Sequence, residues 1–196
     1  LSIRRQRQMC IRDSTNPPFA KQLLQWFDEH GRHDLPWQTD RTSYRVWISE
    51  IMLQQTQVTT VIPYFERFMR RFATVQELAA AQTDQVLHLW TGLGYYARAR
   101  NLHKAAKVIV ETNGSSFPDT VEGLMELDGI GQSTAGAIAA ISMGIRAPIL
   151  DGNVKRVLAR YHCISGWPEQ SSVKKQLWKI AESLTPHERV DDYTQA

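Results

Sequence analysis

From Phe19 onward, apolar residues return every three or four positions, and nowhere do they alternate over a useful length. That period is the one a helix imposes on its buried stripe, so the chain reads as all-α with short connections. Phe19, Leu23, Leu24 and Phe27 share one face of a helix that Gly31 stops. Tyr44, Trp47, Ile48, Ile51 and Met52 repeat at the helical spacing. "VIPYFERFMRRF" is a further helix with Pro63 near its start, and "TVQELAAAQTDQVLHLWTGLG" holds one or two short ones closed by Gly92 and Gly94. A longer helix runs from Ala97 to about Thr112 with Leu102, Ala105, Ala106 and Ile109 inward. "PDTVEGLMELDGIGQSTAGAIAAISMG" gives helix, tight turn, helix; "DGNVKRVLARYH" and "SSVKKQLWKIAESLTP" give two more.

No window holds the roughly 18 apolar residues of a membrane-spanning helix, and no secretory signal is visible. The two cysteines, Cys10 and Cys163, are too few for a disulfide framework, so a cytoplasmic setting is expected, with Cys163 a buried structural thiol. The net charge is +3, from 23 basic and 20 acidic residues. The first fourteen residues carry Arg4, Arg5, Arg7 and Arg12 against Asp13, which leaves 19 of each sign from Thr15 onward. Residues 1–18 therefore read as a disordered or extraneous basic tail outside the fold. Within the neutral body the charge is patterned. Arg98, Arg100, Lys104 and Lys107 lie in a stretch without acids, and Arg146, Lys155, Arg156 and Arg160 share another with Asp151 alone. Such a pattern suits either a phosphate backbone or solvated helix faces.

Three features carry chemistry. In "LDGIGQSTAGAI", Gly129 and Gly131 flank Ile130 in a turn from which a helix begins at once. The glycines permit positive φ and close approach. The turn and the first helical N–H groups offer an anion site, while Leu127 and Ile130 anchor it. An ordinary αα-hairpin also favours glycine. In "ILDGNVKRV", Asp151 can cap the following helix, or present an ionised carboxylate to a developing cation, or both. In "VWISEIMLQQTQV", Glu50 is an acid among apolar and amide neighbours, where desolvation favours its protonated form. It is then either a general acid or a buried glutamate satisfied by a hydrogen bond.

Together "SEIMLQQTQV", "TGLGYYARARNLHKAA", "LDGIGQSTAGAI" and "ILDGNVKRVLAR", in this order and spacing, closely resemble the helix-hairpin-helix base-excision DNA glycosylases, and among them the adenine DNA glycosylases. The resemblance covers about Phe19 to Ala196. It implies two helical subdomains with the active site in the cleft between them. One spans 37–146 and includes the hairpin at about 119–143; the other joins 19–36 to 147–196. It implies a monomer that acts on double-stranded DNA and hydrolyses adenine from A:8-oxoguanine or A:G mispairs, with the adenine flipped into a pocket. Glu50 matches the acid that protonates adenine, Asp151 the carboxylate that stabilises the sugar cation, and Asn153 a polar residue beside it. Gln54 and Tyr95 match residues that wedge into the duplex, with Gln55 and Thr56 near the purine left behind. Gly129, Ile130 and Gly131 match the phosphate-gripping hairpin, which in the family also holds a monovalent cation. Related enzymes that also cut the backbone carry a nucleophilic lysine where this chain has Ser133, and a hydroxyl cannot form an imine. The nearest lysine, Lys155, is placed like the family's side-reaction lysine. A monofunctional hydrolase is therefore expected over a thymine-glycol type glycosylase and lyase, or over a DNA-binding module without turnover.

The family's [4Fe–4S] cluster needs four closely spaced cysteines, and nothing here matches them. The resemblance thus implies a fragment without the cluster segment or the C-terminal recognition domain. Exposed apolar surface is expected on its second subdomain.

Overall fold

The computed structural model describes residues 18–196, so the basic tail, Pro18 excepted, and Cys10 lie outside the described residues. Among the described residues there are eleven helices and no strand. They are α1 (Phe19–His30), α2 (Ser43–Leu53), α3 (Val58–Arg71), α4 (Val75–Ala80), α5 (Thr83–Trp90), α6 (Ala97–Thr112), α7 (Val121–Met125), α8 (Gln132–Met143), α9 (Gly152–Tyr161), α10 (Ser171–Leu184) and α11 (Val190–Gln195). Short polar residues start several of them. The side chains of Thr42, Thr74, Thr120 and Asp151 each accept a hydrogen bond from an N–H of the helix that follows.

Two hydrophobic clusters hold the helices. The larger draws on α2 to α8, where Trp47, Phe65, Phe68, Phe72 and Trp90 are fully buried. Edge-to-face pairs interlock them: Trp37 on Phe65, Trp47 on Phe117, Phe68 on both Phe72 and Trp90. The smaller cluster gathers Leu150, Leu158, Val173, Leu177 and Ala181, with Phe19 and Trp178 packed against it. Ala147 belongs to the first cluster and Leu150 to the second. The three-residue step between them is therefore the seam, and Asp151 follows immediately.

Two local features differ from the sequence reading. Cys163 is exposed and takes a left-handed φ of 53°, rather than sitting in the core. The short polar helix α11 carries little periodicity of its own and is held by tertiary contacts. Val190 is buried, Arg41 pairs with Asp191, Gln38 donates to Gln195 at 2.8 Å, and the Arg189 guanidinium spans Asp28 and Asp192. Trp26, on α1, and Trp167, between α9 and α10, are 50% and 70% exposed.

Candidate active site

Glu50 stands on α2 among Val46, Ile48, Ser49 and Ile51, each of which is at most 3% exposed. Glu50 itself is half-buried and lines a cleft of about 850 Å³. Among the described residues no donor hydrogen-bonds its carboxyl, so a merely satisfied buried glutamate is not what the helix presents. Burial, first, and the negative charge of Asp151, second, push its pKa from 4.5 up to about 7. Glu50 is thus poised to be a proton donor near neutral pH.

Asp151 lies across the same cleft, exposed to it, as the N-cap of α9. Its Oδ1 accepts from the Val154 N–H at 2.8 Å, so the capping reading holds while the residue still lines the cleft. Two small residues of α8 fix the approach to it. The Ser133 hydroxyl accepts from the Leu150 N–H at 2.9 Å. A Cβ added to Gly136 would lie 2.8 Å from the Pro148 carbonyl oxygen, so only glycine lets that backbone lie so close to the helix. Ser133 and Gly136 are one turn apart on one face of α8. Asn153 also lines the cleft, its Oδ1 accepting from Arg156 at 3.2 Å.

The mouth is built from two turns. After α2 ends, Gln54, Gln55 and Thr56 form one, with Gln55 at φ 58°. Tyr95, at φ 50° and 64% exposed, tips the other. A left-handed backbone at a non-glycine residue costs roughly 1 kcal/mol, and it persists only where surrounding contacts hold it. Both turns border the cleft. Gln54 Nε2 reaches Thr134 Oγ1 at 3.4 Å, which links the mouth to the hairpin helix.

The hairpin is α7, the turn and α8. Leu127 and Ile130 are each 5% exposed, as anchors should be. Gly129 uses its freedom, at φ 80° with the Asn101 Cβ 2.9 Å from where its own would stand. Gly131 does not: its φ is −89°, and its missing Cβ leaves open space at the N-terminus of α8, which no side chain caps.

Eight of the twelve nominated residues therefore converge on the cleft: Glu50, Gln54, Gln55, Thr56, Tyr95, Ser133, Asp151 and Asn153. The three hairpin residues do not line it. Nor does Lys155, whose Nζ pairs with Glu169 Oε1 at 2.6 Å. Sequence reading missed the apolar wall of Leu53, Ala137 and Ile149, and the inward role of Arg98. The basic stretches are also thinner than they read. Arg146 donates to the Thr185 carbonyl at 2.9 Å and Arg98 to several carbonyls, while Arg100, Lys104, Lys107, Arg156 and Arg160 stay exposed. Among the described residues no cluster of acids, histidines or cysteines could hold a metal ion. Two cysteines in the whole sequence cannot supply four thiolates, so the residues present do not fit a [4Fe–4S] cluster.

The chain has relatives both among known sequences and among solved structures. An adenine DNA glycosylase of Buchnera aphidicola (from Acyrthosiphon pisum) is 48% identical over 177 residues, covering 90% of this chain and 51% of that protein. The human adenine DNA glycosylase is 45% identical over 187 residues, covering 91% of this chain and 34% of its own. The chain thus spans about half the length of the former and a third of the latter. Among solved structures, a thermostable thymine-DNA glycosylase superposes with a TM-score of 0.81 at 23% identity, over 100% of this chain and 85% of that one. A trapped endonuclease III–DNA covalent intermediate gives 0.74 at 19% identity, over 90% and 79%. At those identities the structures attest the fold. The family described as HhH-GPD superfamily base excision DNA repair protein matches residues 48–183, and the chain belongs to it.

Proposed function

We propose that this chain is the catalytic part of a monofunctional adenine DNA glycosylase, acting as a monomer in the cytoplasm on duplex DNA with adenine opposite 8-oxoguanine or guanine. The observation that carries the reading is an acid with no hydrogen-bond partner among the described residues, its pKa pushed up to about 7 by burial, lining the same cleft as a second carboxylate. The clusters described above correspond in this reading to subdomains 37–146 and 19–36 plus 147–196, with the reaction at their seam.

In the reaction, Glu50 donates its proton to N7 of the flipped adenine. The C1′–N9 bond then breaks with its electrons leaving on the base. The positive charge left on the sugar is stabilised by the Asp151 carboxylate, which the α9 N-cap holds in place. Water adds to C1′ and its proton returns to Glu50, giving the abasic product and free adenine. Asn153 positions sugar and water. Gln54 and Tyr95 fill the space the base vacates, with Gln55 and Thr56 close to the unpaired purine. Gly129, Ile130 and Gly131 grip a backbone phosphate, with a monovalent cation at the turn. Ser133 is engaged by the Leu150 amide and has no amine to offer, which supports simple hydrolysis over the lyase reaction.

The test is to incubate the chain with duplexes carrying A:8-oxoguanine, A:G and A:T, quantify released adenine, and repeat with borohydride. Adenine from the first two and no trapped adduct is the expected result. Duplex binding without release would favour a binding module, and efficient trapping would favour the lyase.

A further inference from the structure

Arg98 lies on α6, in the stretch whose positive charge suggests a phosphate contact, yet its guanidinium points into the protein. Nη1 donates to the carbonyls of Ile51 and Met52, each at 2.9 Å, and of Gln54 at 2.6 Å. Nη2 donates to Thr56 Oγ1 at 3.2 Å and to the carbonyls of Leu93 and Gly94 at 3.3 Å each. Ile51 and Met52 lie in the last turn of α2, where carbonyls have no partner within the helix. Gln54 and Thr56 form one turn of the cleft mouth; Leu93 and Gly94 lead into the other. The guanidinium centre lies 5.5 Å from the Trp90 ring centre and 5.6 Å from that of Tyr95. Trp90 Nε1 donates to the same Gly94 carbonyl at 3.2 Å.

One planar cation thus ties the end of α2 and the turn that follows it to the stretch that leads into Tyr95. The two left-handed non-glycine residues at the cleft, Gln55 and Tyr95, sit one in each of the turns it binds. We propose that Arg98 is a positioning residue: it clamps both mouth turns to the end of the helix that carries Glu50, so that wedge and acid enter the duplex in fixed register. Lysine could not replace it, because a single ammonium lacks the fork that reaches acceptors on two sides at once. A role as a phosphate contact makes the opposite demand, since there a point charge suffices.

This rests on the function proposed above, and the test separates the two. The 196-residue chain, Arg98→Lys and Arg98→Met are compared by three measurements. These are single-turnover adenine release from an A:8-oxoguanine duplex, the salt dependence of binding to an undamaged duplex, and amide hydrogen exchange. Both variants should release adenine about 100-fold more slowly, the scale expected when a reacting geometry is lost by about an ångström. Exchange at residues 54–57 and 93–95 should quicken while the middle of α6 keeps its protection. The slope of log binding against log salt should not move. A lysine variant that behaves like the parent, unchanged exchange in both turns, or a methionine slope shallower by about 0.9 would each overturn the proposal in favour of a phosphate contact or no role. If neither variant folds, Thr56→Val deletes only one of the six bonds and should still loosen residues 54–57; unchanged exchange there overturns the clamp. If the parent releases no adenine, the function proposed above fails, while exchange and salt slope still decide Arg98.

Discussion

Replacing Glu50 by Gln should make the protein more stable at alkaline pH while removing its chemistry. The folded state holds the Glu50 proton up to about pH 7, whereas an ordinary carboxyl gives it up near 4.5. As pH rises from 4.5 to 7 the unfolded chain loses this proton before the folded one does, so stability falls across that window and the loss is complete above it. The interval corresponds to roughly 3 kcal/mol at 1.36 kcal/mol per pH unit. The carboxyl is half-buried and lines an open cleft, so screening reduces this to about 2 kcal/mol as the expected change between pH 5 and pH 8. Glutamine cannot titrate and is spared this penalty. Urea unfolding of parent and variant at both pH values measures it. The advantage of Glu50→Gln should grow by about 2 kcal/mol from the lower to the higher pH, a relative midpoint shift of roughly 1 M for a urea slope near 2 kcal/mol/M. An advantage that is the same at both pH values would refute the claim that burial and Asp151 hold the proton on Glu50.

Asp151 offers a separation of roles. Asp151→Asn keeps a side-chain acceptor for the Val154 N–H and should fold as stably as the parent, whereas Asp151→Ala should lose about 1 kcal/mol in thermal or urea unfolding. Adenine release should collapse in both, because the charge is gone from both. Ile130→Ala empties a buried anchor of the hairpin and should cost about 2–4 kcal/mol, with duplex affinity falling further than that loss of fold explains. Gly136→Ala drives a Cβ to 2.8 Å from the Pro148 carbonyl; unfolding should show a loss of roughly 1–3 kcal/mol, and adenine release per folded molecule should also drop as Asp151 is displaced.

Most of this architecture is written in the local sequence. The Tyr44–Met52 periodicity gives α2 and its buried face, and the isolation of Glu50 beside it already marks that carboxylate. The glycine pair around Ile130 gives the hairpin, because anchors and turn are neighbours in the chain. What stays illegible depends on residues far apart. Arg98 looks like one more surface cation, since its carbonyl partners lie on α2 and in the two mouth turns. Gly136 looks like a helix-weakening glycine until the Pro148 backbone is seen against it. Helix α11 has no stripe long enough to announce it, and ion pairs with Arg41 and Asp28 hold it instead. Cys163 reads as buried by residue type, and the left-handed turn after α9 carries it outward.

The central claim is that Glu50 must be protonated to release adenine. The direct measurement is the single-turnover rate of adenine release from an A:8-oxoguanine duplex as a function of pH, for the chain and for Glu50→Gln. The parent rate should fall about tenfold per pH unit above roughly pH 7, and the variant should release almost none at any pH. A parent rate that is level from pH 6 to 9, or a variant that matches it, would contradict the account.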